Sequence, residues 1–311
     1  MPRVEDVLNQ ADINSYITQR DFPLTVGDAL FPQRKTEDFK VKYILGANGA
    51  PVSASVHAHD TEAQVASREG FDEFEQDMAL IKRKIQMKEE LIIMLSKAGH
   101  DAEITQLINL IYNDVDNMRN AVQTRIEAMR FEALSTGKIT LNENGLEDIV
   151  IDYSVPTEHQ ETLSGTNLWT DSQAKPLDDI DRFVDKIVES TGDRPTRILT
   201  SSKVFNALKR HDSVRSAFHG VNSARLLTNA ELNSFLQAQG LPSIATDDRR
   251  YRVQLNKNKY VTKRFFPEDK LVAMPSEALG ETLYGVTAEE VKMRNMHNSA
   301  FQNFGNIIVQ Q

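Results

Sequence analysis

Two histidines and an aspartate come closest to a reactive centre in this sequence. In Val56-His57-Ala58-His59-Asp60 the imidazoles stand two residues apart, which on a strand puts both on one face. Metal-dependent hydrolases hold an ion with such a pair and use it to activate water. A working centre needs further ligands, and His100, His159, His211, His219 and His297 are scattered without ligand spacing. Alternation along the segment already accounts for His57 and His59 as one solvated face of a strand. Asp178, Asp179 and Asp181 would suit a Mg²⁺ ion or paired carboxylates, but they follow Pro176 at a helix start, where acidic side chains favour the helix dipole. Thr200-Ser201-Ser202-Lys203 has the types of a Ser/Lys nucleophile pair; a helix capped at Ser201/Ser202, with Ser202 taken as the N-cap, explains it more simply.

One basic cluster stands out. Arg249, Arg250, Arg252, Lys257, Lys259, Lys263 and Arg264 are interleaved with Tyr251, Tyr260, Phe265 and Phe266. Single-stranded nucleic acid binds such mixtures; a charged surface hairpin leading into a buried Phe pair is the simpler reading. There is no GxSxG, Walker A or GxGxxG run. The sequence therefore assigns no catalytic, cofactor-binding or metal residue, and it reads as a non-enzyme.

Composition narrows the class further. The 311 residues are 40% hydrophobic and 26% charged, ordinary for a globular protein, and allow two domains. No apolar run of 18 residues is present, so no membrane-spanning helix is expected. Met1–Gln10 lacks the basic-then-apolar order of a signal peptide. With no cysteine there is no disulfide or thiolate chemistry, which suits a reducing compartment or a particle that must survive outside one. A net charge of −9 argues against tight nonspecific binding to nucleic acid.

The elements follow from periodicity. Ile104, Ile108, Ile111, Val115, Met118, Val122, Ile126, Met129 and Ala133 recur in steps of three and four, so Asp101–Gly137 reads as one helix of roughly 50 Å. Its other face carries Asp114, Asp116, Arg119, Asn120, Gln123, Glu127 and Arg130 and is expected to face solvent. Phe39, Val41 and Tyr43, a Gly46-Ala47-Asn48-Gly49 turn, and Val52 to Ala58 read as a hairpin over 38–59. Phe71, Phe74, Met78, Ile81, Ile85, Leu91 or Ile92, and Leu95 predict a helix from Glu69. Strands are expected at 138–141 and 149–155. From 175 to 275 short strands alternate with helices, as in a compact α/β unit. A polar hairpin is expected around 256–259, strands at 270–274 and 280–286, and a last one at 305–309. Residues 1–33 read as an arm across another surface, the alternative being a strap on their own domain.

Four segments in order resemble the major capsid proteins of lambda-type tailed bacteriophages, the capsid protein E family. They are Trp169-x-Asp171 with Lys175-Pro176-Leu177-Asp178-Asp179-Ile180; Arg197-Ile198-Leu199-Thr200-Ser201-Ser202-Lys203-Val204-Phe205 through His211-Asp212-Ser213-Val214; Leu227-Thr228-Asn229-Ala230-Glu231-Leu232 through Gly240-Leu241-Pro242-Ser243-Ile244; and Phe266-Pro267-Glu268-Asp269-Lys270-Leu271 through Tyr284-Gly285-Val286-Thr287-Ala288-Glu289-Glu290. The resemblance implies an α+β tailed-phage major capsid fold. Its parts would be an N-terminal arm (1–35), an extended-loop hairpin (36–66), a peripheral domain (67–174) with spine helix 101–137, an axial domain (175–270), and a return segment (271–311). It implies a head protein that self-assembles through pentamers and hexamers into an icosahedral shell around double-stranded DNA, without sequence-specific binding or cofactor. Scaffold, portal and decoration proteins would be its partners, the virion its place, and the bacterial cytoplasm its site of assembly. The rival readings are a metal-dependent hydrolase using His57, His59 and Asp60, and a helical scaffold protein built on 71–135.

Overall fold

The longest helix ends where the glycine that follows it dictates. The computed structural model describes residues 10–20, 23–38, 40–45, 72–85, 89–90, 93–94, 101–141, 149–220, 225–256, 259–287 and 290–291. Within them the chain divides into two units, one of residues 1–41, 77–128 and 280–311, the other of 42–76 and 129–279.

The first unit opens with helices α1 (Gln10–Gln19) and α2 (Val26–Leu30) and strand β1 (Gln33–Lys35). Thr25 and Asp28 form a reciprocal capping box that starts α2. Strands β2 (Lys40–Leu45) and β3 (Asp72–Asp77), paired in a sheet of two, fall mostly in the second unit. Helix α3 (Asp101–Thr136) then runs 36 residues, as the unbroken apolar period requires. Among the described residues of the first unit, Ile13, Leu30, Ile111, Val115, Ile126, Ala128 and Val286 are the buried apolar ones. The described residues between 10 and 35 meet α3 within this unit, forming a strap along it.

The last turns of α3, from Met129, belong to the second unit. Gly137 stops the helix at φ +69°, where a Cβ would also stand 2.7 Å from Val155 Cγ2. Strands β4 (Lys138–Leu141) and β5 (Ile149–Asp152) form an antiparallel hairpin with Ile139 and Leu141 buried. Next come α4 (Pro176–Thr191), β6 (Arg197–Thr200), α5 (Ser202–Arg210), α6 (Asp212–His219), α7 (Asn229–Ala238) and β7 (Ser243–Thr246). The ribbon β8 (Arg250–Asn256) and β9 (Lys259–Arg264) precedes β10 (Leu271–Met274). A three-stranded sheet runs β10-β6-β7, antiparallel then parallel. Ile180 and Val184 of α4, Phe205 and Leu208 of α5, Val214 of α6, and Leu232 and Leu236 of α7 close over it with Ile198 and Ile244. Each such buried side chain contributes roughly 1.5–3 kcal/mol relative to exposure. Strand β11 (Thr282–Tyr284) returns to the first unit and pairs in parallel with β1, Gln33 opposite Thr282 and Lys35 opposite Tyr284.

Three expectations are corrected. Residues 72–77 are strand β3, not the start of a helix from Glu69: pairing with β2 overrides a helical spacing carried by few apolar residues. The polar side of α3 is not wholly solvated, because Asp116, Glu127 and Arg130 are buried. The cap of α5 is Ser201, whose Oγ accepts from Val204 N at 3.2 Å, so Ser202 is the first helical residue instead. The expected second hairpin arm (52–58) and last strand (305–309) lie outside the described residues.

Candidate functional site

Among the described residues, the reactive-looking side chains are not assembled into a centre. His57, His59 and Asp60 lie outside the described residues, and among the described ones no three His, Cys, Asp or Glu side chains are grouped to hold a metal. Asp179 accepts from Trp169 Nε1 at 3.0 Å and meets Arg182 at 3.0 Å, whereas Asp178 is exposed beside Lys175. Ser201 is fully buried, donates to the Glu268 carbonyl and caps α5. Lys203 pairs at 3.7 Å with the Glu268 carboxylate instead of facing that hydroxyl. These are stitches, not a nucleophile and its base.

Buried polar groups in the first unit serve the strap. Glu127, 2% exposed, accepts from Thr25 Oγ1 at 2.7 Å and from the Gly27 backbone N–H at 3.1 Å. Asp116 accepts from Tyr16 Oη at 3.2 Å and pairs with Arg20 at 2.9 Å, while the Tyr16 ring lies 4.4 Å from that of Tyr112. Burial, and then the Asp116 carboxylate, raise the Tyr16 hydroxyl above its ordinary pKa. Burial lowers the Arg119 guanidinium below its usual range, with Tyr284, Asp116 and Asp28 opposing. Lys35 of β1 closes on Glu290, a buried carboxylate. Periodicity assigned Asp116 and Glu127 to solvent; the Thr25-x-x-Asp28 capping pattern is the one local sign that an ordered strap precedes them.

In the second unit the basic cluster splits in two. At the root of the ribbon, Arg249 meets Asp247 at 2.7 Å and lies over the rings of Phe131 and Phe265 at 5.2 and 5.3 Å. Phe131 in turn meets the buried Phe266 edge-on. Arg264 pairs with Asp248, whose carboxyl is held below its ordinary pKa by hydrogen bonding from Ser202 and then by Arg264. Farther out Arg250, Arg252, Lys259 and Lys263 are exposed, with Arg252 over the Tyr260 ring at 5.4 Å. The described parts therefore show the charged hairpin, and of the buried Phe pair expected from sequence Phe266 is buried and Phe265 half-buried.

Residues of the four sequence segments carry cross-links of this unit. His211 Nε2 donates to the Asp171 carbonyl at 2.9 Å, leaving Nδ1 to accept from Ser213 N. Thr200 Oγ1 donates to the Lys270 carbonyl at 2.7 Å, and Lys270 Nζ to the Ser135 carbonyl at 2.8 Å. Asn233 bonds both backbone groups of Ile244, standing in for a strand on that edge. Arg197 binds the carbonyls of Pro275 and Glu277, each at 2.7 Å. Each of these bonds ties one stretch of the unit to another.

The model of the family described as phage major capsid protein E matches residues 9–302. A structure described as a prophage capsid protein of Escherichia coli CFT073 is similar at a TM-score of 0.52 and 15% identity, over 93% of this chain and 86% of that one. A phage-related protein from Bordetella bronchiseptica RB50 gives a TM-score of 0.47 and 13% identity, over 84% of this chain and 74% of that one. No curated protein matches in sequence. With nearly its whole length matched, the chain belongs to the phage major capsid protein E family.

Proposed function

We propose that many copies of this chain assemble into the closed icosahedral shell that encloses the double-stranded DNA of a tailed phage. The observation that carries this is the family match over residues 9–302. In this reading residues 67–174, with α3 as spine, form the peripheral domain and residues 175–270 the axial domain. Strands β2 and β3 are the base of the extended loop, whose outer part reaches a neighbouring copy. The net charge of −9 suits a wall that surrounds DNA without gripping it. Pentamers and hexamers of the chain build the shell. Scaffold, portal and decoration proteins are its partners in this scheme, and assembly takes place in the bacterial cytoplasm before the protein resides in the virion. Negative-stain electron microscopy with sedimentation of the expressed protein tests it. Shells, capsomers or tubes are the expected result; small globular oligomers under every condition would overturn it.

A further inference from the structure

The ribbon β8–β9 gathers one sign of charge in a chain dominated by the other. From Arg249 to Arg264 there are seven Lys and Arg and no Asp or Glu, so with a net −9 the rest of the chain carries −16 (−9 less +7). Arg249 and Arg264 are engaged at the root by Asp247 and Asp248. Arg250, Arg252, Lys259 and Lys263 are exposed, and no ion pair holds them among the described residues. The register sets Arg250 directly opposite Arg264, an unfavourable like-charge pair. Leu255 and Tyr260, toward the turn, are 54% and 51% exposed. A two-stranded ribbon is marginal without a surface to lie on.

Helix α4 offers the opposite surface. Asp178, Asp181, Asp185 and Glu189 are exposed at steps of three and four, which is one side of a helix. Arg182 and Lys186 beside them are both drawn to Glu161. Arg194 meets Asp181 and Asp185 only at 3.8 Å. The six α4 side chains line a shallow groove. The carboxylate row spans roughly 16 Å at the helical rise, and strand β8 roughly 23 Å, so the ribbon covers the row. No ion pair within the chain joins ribbon to helix among the described residues.

We propose that the β8–β9 ribbon of one copy docks its cations on the α4 carboxylate row of the next copy. The proposal rests on the shell reading and gives it one specific contact. The two patches differ, so the contact is head-to-tail, and head-to-tail contacts close into rings when the rotation permits. A phosphate backbone is the weaker partner, since the surrounding −16 repels it and it offers nothing apolar to Leu255.

The test uses the full chain with Arg250→Glu, Arg252→Glu and Lys263→Glu together, then Asp181→Lys, Asp185→Lys and Glu189→Lys together, then all six. Circular dichroism reports folding, and electron microscopy with sedimentation reports particles. Each triple variant should keep the wild-type spectrum and lose particles, and the sixfold variant should regain them. If the ribbon variant assembles like wild type, the proposal falls while the shell reading stands. Loss in both triples without recovery in the sixfold variant also overturns it, as does a ribbon variant that forms normal shells deficient in DNA. Wild type that never assembles sinks both readings. Should the ribbon triple lose its folded spectrum, the Arg250→Gln/Lys263→Gln pair decides. A raised threshold concentration for assembly upholds the contact, and an unchanged one refutes it.

Discussion

Glu127 holds the Thr25 hydroxyl and the Gly27 N–H from a position 2% exposed. Glu127→Ala leaves a buried N–H without its acceptor and should cost about 1–3 kcal/mol in chemical denaturation. Glu127→Gln keeps one acceptor oxygen and should cost less. Val115, 3% exposed on the apolar side of the same helix, should lose several kcal/mol as Asp, more than the half-buried Val122 treated likewise. Arg119→Ala should be measurable, because burial has already shifted its guanidinium. Acid should act in a defined direction. Ser202 and Arg264 hold Asp248 below its ordinary pKa, Thr228 does so for Glu231, and Lys186 and Arg182 do so for Glu161 against the cost of burial. Depressed carboxyls contribute stability that is full above their unfolded values and is lost as pH falls through the folded ones. Thermal midpoints should therefore hold from pH 7 to about 5 and drop below about pH 4. A midpoint that rises on acidification would contradict these pairings. None of the Glu127 contacts was legible in sequence, since Thr25 lies 102 residues away and a 3.6-residue period reports only which side of a helix is apolar.

Among elements, those with their own caps and stops were the ones readable in advance. Gly137 and Gly192 end α3 and α4 at φ +69° and +80°, and Pro176 begins α4. Thr228 and Glu231 form the capping box of α7. Strand β3 was missed because its identity comes from pairing with β2, a tertiary fact, whereas Phe71, Phe74 and Met78 show helical spacing by coincidence. The Ser201/Ser202 ambiguity is a one-residue boundary error. It gives a clean contrast: Ser201→Ala should destabilise by about 0.5–2 kcal/mol through the lost cap, and Ser202→Ala should be nearly neutral. Equal effects in thermal melts would show that the cap is misassigned. The β2–β3 pair also refines where the loop can be cut. Replacing 46–71 by a short Gly/Ser turn should leave the strand pair and the wild-type circular dichroism intact and should block closed shells. An unfolded product would mean the excised segment belongs to its own subunit's core, and normal shells would remove the extended-loop assignment.

The molecule as a whole is ordered differently from its sequence. The second unit draws on one nearly continuous stretch, 129–279, with 42–76 added, while the first is assembled from three separated pieces. Strand β1, at residues 33–35, is completed only by β11 at 282–284, and Lys35 finds Glu290 later still. Protein synthesis runs from the N-terminus, so a growing chain holds every strand of the α/β sheet before it possesses β11. The α/β sheet is therefore complete in the chain before the first unit, which waits for β11. In the proposed shell that topology would serve as a timing device, since a chain that ends before residue 282 lacks the strand partner of β1 and the carboxylate that Lys35 meets.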